Sequence, residues 1–138
     1  MSSYPVLMHT AVDAPDCRGL AEFYRLFLGL RYRPGDEVPA DGDDDADWLV
    51  LIDAAGHRVL AFQQVPALAQ PTWPTHDVPK QMHHDFRVPS IAELHRHRQR
   101  AEELGAVLLH DRTDDAGEPL YVLADPAGHP FCILVGSA

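Results

Sequence analysis

Cysteine is scarce in this chain: Cys17 and Cys132 are the only two among 138 residues. Two isolated cysteines form neither a disulfide framework nor a metal knuckle, and a reducing, cytoplasmic compartment is the expectation. No stretch approaches the roughly 20 consecutive apolar residues that span a bilayer, so no membrane association is expected. The opening Met1-Ser2-Ser3-Tyr4-Pro5 lacks the basic start and apolar run of a secretory leader. Basic residues are few, 11 Lys and Arg against 21 Asp and Glu, and the formal net charge of −10 argues against a nucleic-acid partner. No glycine-rich loop leads from a strand into a helix, so a nucleotide cofactor has no support. No Gly-x-Ser-x-Gly elbow is present either.

Much of the negative charge sits in Asp41-Gly42-Asp43-Asp44-Asp45-Ala46-Asp47. A calcium loop requires a glutamate at its far end, and that position here falls in the apolar run after Trp48. The run reads as a solvated hairpin loop.

The rest of the chain is punctuated into short elements. Val6 to Val12 reads as a strand ending at the turn formers Asp13, Pro15 and Asp16. Leu20, Phe23, Tyr24, Phe27 and Leu28 then fall on one helical stripe, with Asp16 as N-cap and Gly29 as a left-handed C-terminal residue. Residues 30–33, Trp48 to Ile52 and Arg58 to Val65 read as strands. Pro66, Pro71, Pro74 and Pro79 make the following stretch a linker, because proline lacks the donor that helix interiors and central strands need. The order then recurs. Gln81 to Val88 is a strand, and Ser90-Ile91-Ala92-Glu93 is a capping box opening a helix that Gly105 ends. Ala106 to His110, Leu120 to Ala124 and Pro130 to Val135 are strands. Asp53-Ala54-Ala55-Gly56-His57 and Asp125-Pro126-Ala127-Gly128-His129 occupy the same turn, before the last strand of each half. His9 and His83 both lie on first strands. Matches at both ends of one element order point to internal duplication. The expected organisation is one domain over 1–138, with a first module at about 5–66, a linker at about 67–80 and a second module at about 81–136.

A duplicated βαβββ unit with a histidine on each first strand resembles the vicinal oxygen chelate superfamily of glyoxalase I, extradiol dioxygenases, and bleomycin and fosfomycin resistance proteins. The residues that carry the resemblance are His9-Thr10-Ala11-Val12, Leu20 to Tyr24, Leu28-Gly29-Leu30, His83 to Val88, Leu104-Gly105-Ala106 and Asp125 to Gly128. Leu60 to Gln63, Pro71 to Pro74 and Phe131 to Leu134 resemble its glyoxalase-like domain branch. The resemblance implies an α+β fold in which the two modules form a curved, cup-shaped mixed sheet with helices on its convex face. It also implies a homodimer, a small-molecule ligand, and lyase or dioxygenase activity. The superfamily's metal is usually held by His or Glu from each first strand and Glu or Gln from each last strand. That implies His9 and His83 here, with Cys132 at the last-strand position of the second half. Gln63 is a further carbonyl.

Neither last strand carries a carboxylate, so magnesium and manganese are poorly served. Histidine with cysteine suits zinc, nickel, copper or iron better. A buried small apolar role for Cys132, with both histidines as cavity walls, is the alternative. Strand alternation sets Met82, His84, Phe86 and Val88 under the helix and His83, Asp85 and Arg87 on the other face. His83 with Asp85 then forms a candidate acid–base pair, unless Asp85 pairs with Arg87. His9, Trp48, Phe62, Trp73, Arg87 and Tyr121 are candidate ligand walls, Trp73 because a tryptophan in a proline-stiffened linker is poorly placed for the core. His95, His97 and His110 read as solvated. Two functions remain open: an enzyme acting on a small carbonyl or aromatic metabolite, and a metal-free drug- or metabolite-binding protein.

Overall fold

A computed structural model describes residues 3–136. The chain divides into two compact units, Met1–Leu68 and Ala69–Ala138. The first contains β1 (Thr10–Ala14), α1 (Cys17–Leu28), β2 (Arg31–Tyr32), β3 (Trp48–Ile52) and β4 (Arg58–Gln64). The second contains β5 (His84–Val88), α2 (Ile91–Glu103), β6 (Val107–Arg112), β7 (Leu120–Ala124) and β8 (Pro130–Val135). The sheets run β1-β4-β3-β2 and β5-β8-β7-β6. In each, the first strand pairs parallel with the last, and the remaining pairs are antiparallel. The duplication inferred from sequence is thus a duplication of topology: an α+β fold of two βαβββ modules, with the strands in two four-stranded mixed sheets. Among the described residues no helix is long and apolar enough to cross a membrane.

Local chemistry explains the elements. Asp16 caps α1 by accepting from the Gly19 amide at 3.0 Å, and Gly29 ends it at φ 68°, a left-handed conformation that glycine adopts without a Cβ clash. The stripe Leu20, Phe23, Tyr24 and Phe27 is buried, and Tyr24 stacks on Phe62 of β4 with ring centroids 5.8 Å apart. The second helix is more polar and buries only Leu94 and Ala101. Half of its expected capping box is present. Ser90 Oγ accepts from the Glu93 amide at 3.2 Å, while the Glu93 carboxylate turns to Arg96 at 2.7 Å and His97 at 3.2 Å.

The repeated Asp-x-Ala-Gly-His segments are the same turn built twice. Asp53 Oδ1 accepts from the amides of Ala55 and His57, both at 2.9 Å; Asp125 Oδ1 accepts from those of Ala127 and His129, both at 3.0 Å. In each the glycine amide bonds back to the aspartate carbonyl, at 3.0 Å for Gly56 and 2.8 Å for Gly128.

Two strand starts differ from expectation. The first strand begins at Thr10, not Val6, and Val6, Leu7 and Met8 are exposed. Its backbone partners on β4 start at Leu60, opposite Thr10. The fifth strand begins at His84, and Met82 is 72% exposed rather than packed beneath the helix.

Candidate functional site

In the second unit, residues 84, 86 and 88 alternate with exposed ones, and the Phe86 and Phe131 rings meet edge to face with centroids 5.8 Å apart. Phe131 and Ile133 on β8 are fully buried in the same layer. Alternation therefore puts His83, Asp85 and Arg87 on the opposite face. The parallel β5–β8 register places Asp85 beside Cys132, and the antiparallel β7–β8 register places Val122 on its other flank. On this face lies a concavity of about 260 Å³ whose wall includes Trp73, Lys80, His83, Asp85, Arg112 and Cys132.

Three donor types converge there. One donor atom each from His83, Asp85 and Cys132 lies within 4.8 Å of the others. His83 Nε2 is 3.3 Å from Asp85 Oδ1. Burial pushes the Cys132 thiol up to about 11; the Asp85 charge, and a hydrogen bond from the thiol to that carboxylate, push the same way, against Lys80 and Arg112. In the metal-free protein Cys132 is therefore a neutral S–H donor at physiological pH. Around a tetrahedral ion with bonds of about 2.0–2.3 Å, donor atoms lie roughly 3.3–3.8 Å apart. The His83–Asp85 separation of 3.3 Å matches that spacing, and the sulfur lies within 4.8 Å of both donors. An imidazole nitrogen, a carboxylate oxygen and a thiolate sulfur suit zinc and neighbouring transition metals. The donors present thus fit such an ion. Both last strands lack a carboxylate, and the cluster's one carboxylate is that of Asp85 on β5.

In the first unit, His9 packs against Trp48 with ring centroids 5.8 Å apart, and its Nδ1 is buried with no hydrogen-bond partner among the described residues. Trp48 also leans on a buried cluster of Val50, Ile52 and Ala61. Gln63 stands opposite Trp48 in the β3–β4 register and is exposed.

The other expected site residues divide into two groups. Phe62 and Tyr121 are core residues rather than ligand walls. Phe62 is fully buried against Tyr24, and Tyr121 lies beneath the second helix, with its hydroxyl 2.8 Å from His95 Nδ1 and Arg98 over its ring at 5.1 Å. Trp73 is half-buried at the concavity, and Arg87 is exposed on the same face as Asp85. The histidines expected to be solvated have partners: His95 the Tyr121 hydroxyl, His97 the Glu93 carboxylate at 3.2 Å, and His110 the Trp73 ring in a T-shaped pair, 5.3 Å between centroids. His84 is half-buried and stacks on Phe86, and burial lowers its pKa. The acidic loop is tethered: Arg18 binds the Asp44 carboxylate at 2.6 Å and the Asp36 carbonyl at 2.7 Å, and lies over the Tyr32 ring at 4.9 Å.

Sequence reasoning missed Lys80 and Arg112. Lys80 lies in the proline-rich linker, and Arg112 lies beyond the expected end of β6, past a register shift between Leu108 and His110. The alternation 108, 110, 112 was the available signal, and that shift obscures it.

Tandem βαβββ modules of this topology define the vicinal oxygen chelate superfamily. The chain belongs within it to the glyoxalase-like domain family, whose model matches residues 9–134. Solved structures share the fold. A fosfomycin resistance protein, FosX, from Listeria monocytogenes superposes with TM-score 0.68 at 16% identity, over 97% of this chain and 95% of its own. A lactoylglutathione lyase from Agrobacterium tumefaciens gives 0.60 at 22% identity, over 98% and 96%. A glyoxalase/bleomycin resistance protein/dioxygenase family enzyme from Burkholderia phytofirmans gives 0.66 at 15% identity, over 93% and 96%. No curated protein sequence matches the chain.

Proposed function

We propose that this chain is a glyoxalase-like enzyme acting on a small carbonyl or aromatic metabolite, with its chemistry centred on His83, Asp85 and Cys132 and a divalent transition metal held by those three side chains. The observation that carries this reading is the convergence of nitrogen, oxygen and sulfur donors within 4.8 Å on the wall of a concavity. Bound there, such an ion would polarise a substrate oxygen as a Lewis acid. The protein's own part is positional. Asp85 Oδ1 stands 3.3 Å from His83 Nε2 and would present its carboxylate beside that nitrogen to the same ion. At about 260 Å³ the concavity is below the roughly 300–1,000 Å³ typical of drug-sized ligand pockets, which favours a metabolite over a large antibiotic.

One observation favours the second reading, a metal-free binding protein: the Cys132 thiol, with a pKa near 11, holds its proton unless an ion displaces it. Metal content decides between them. The enzyme reading expects about one equivalent of a transition metal per chain, and that metal is lost in Asp85→Ala and Cys132→Ser. It also expects cobalt(II) to give a near-ultraviolet sulfur-to-cobalt band that disappears in Cys132→Ser. Substoichiometric metal and no cobalt band overturn the metal centre.

A further inference from the structure

The protein carries a large excess of negative charge, yet two cations meet at the concavity. Among the described residues Lys80 makes no ion pair. Its ammonium instead lies over the Trp73 ring, 5.1 Å from the centroid. Among the described residues Arg112 reaches one carboxylate, that of Asp115, at 4.0 Å, with both side chains about half exposed. Among the described residues neither the ammonium nor the guanidinium has a carboxylate closer than 4.0 Å, although the chain carries 21 acidic side chains. Trp73 has the Lys80 ammonium over its ring and forms a T-shaped pair with His110, so an aromatic ring stands beside the two cations. Two carboxylates, Asp85 and Glu118, share the wall with them. Asp85 is engaged by His83 and Cys132, and Glu118 is an exposed side chain in the loop before β7.

We propose that the ligand of this concavity is an organic anion, whose acid group sits between Lys80 Nζ and the Arg112 guanidinium while its body lies against Trp73. A planar guanidinium matches the two oxygens of a carboxylate or phosphonate, and a mobile ammonium adds a third donor. The acid group would then anchor the molecule beside the His83–Asp85–Cys132 cluster. The proposal deepens the functional reading above and rests on it for the reacting end of the ligand. Charge selectivity at Lys80 and Arg112 does not require a bound metal. The acidic chain repels anions at long range, so affinity for an anion must come from short-range contacts with Lys80 and Arg112 and rise little as salt is lowered.

The test is a binding titration followed by tryptophan fluorescence on the full chain, before and after chelator treatment. The probes are benzoate and phenylphosphonate, with neutral benzamide as the uncharged analogue. At least one acid is expected to quench saturably at millimolar concentration, and to bind more tightly than benzamide. The cations are partly exposed, so Lys80→Gln and Arg112→Gln are each expected to weaken the acid about fivefold and to leave benzamide unchanged. Far-ultraviolet circular dichroism of these surface variants confirms folding. Equal affinity for acid and amide, no saturable quenching by any probe, or acid binding indifferent to both substitutions overturns the proposal. Acid selectivity that persists in protein shown to bind no metal leaves this inference standing and removes the metal centre. A metal-loaded protein without acid selectivity does the reverse.

Discussion

The duplicated turn supplies its own control for a stability experiment. Asp53 and Asp125 make the same pair of amide hydrogen bonds, but Asp125 is 3% exposed whereas the Asp53 side chain is 39% exposed. Replacing Asp125 by alanine leaves the part-buried Ala127 and His129 amides without their acceptor. A hydrogen bond to a charged acceptor contributes roughly 1.5–3 kcal/mol, and water replaces it less readily at these part-buried bonds than at the exposed ones of Asp53. Removing a buried carboxylate also relieves its desolvation, which offsets part of the loss. The balance is a destabilisation of about 2–4 kcal/mol for Asp125→Ala. In Asp53→Ala, solvent reaches the freed amides and the loss is clearly smaller. Urea unfolding followed by both circular dichroism and tryptophan fluorescence measures the two, and also shows whether the units unfold together. Asp125→Asn, which keeps an acceptor oxygen, should recover most of the loss. If Asp53→Ala costs as much as Asp125→Ala, burial is not what distinguishes the turns and the reasoning fails.

Two further outcomes follow from the sites described. In chelator-treated protein, alkylation of Cys132 by iodoacetamide should be slow at neutral pH and accelerate with pH up to about 11, where the thiol loses its proton. Because the Asp85 charge raises that value, Asp85→Asn should lower it and speed alkylation at mildly alkaline pH; peptide mass spectrometry separates Cys132 from buried Cys17. Arg18→Met should release the loop between β2 and β3, where Arg18 holds the Asp44 carboxylate and two backbone carbonyls. Limited proteolysis should then cut within 36–47 several-fold faster, with α1 content unchanged, and an unchanged cleavage rate would show the tether to be inert.

The elements were legible because their signals are local. Asp16, Gly29 and Ser90 announce helix ends through their own chemistry, and the Asp-x-Ala-Gly-His turns announce the duplication through bonds confined to five residues. Strand starts were less legible because they depend on a partner: Val6, Leu7 and Met8 are β-prone, but the pairing with β4 begins only at Thr10. Alternation correctly set His83 and Asp85 apart from Phe86 and Val88. That Asp85 stands beside Cys132 is a fact of register between strands far apart in sequence, which no local pattern states. Phe62 and Tyr121 could be read as wall or core for a related reason. An aromatic residue on a strand can serve a ligand or a helix, and only the packing of α1 on Phe62 and α2 on Tyr121 decides. Lys80 and Arg112 escaped notice because a linker lysine and an arginine past a bulge carry no pattern of their own.

In both sheets the strand made last in the chain is an interior strand: β4 lies between β1 and β3, and β8 between β5 and β7. A growing chain that has not yet reached Arg58, or Pro130 in the second unit, therefore holds an unpartnered first strand and a separate hairpin with nothing to join them. Each unit can close only when its final strand slots between pieces already made. A premature stop that removes only β8 would thus leave β5 without its neighbour and split the second sheet down its middle, a loss out of proportion to the few residues removed.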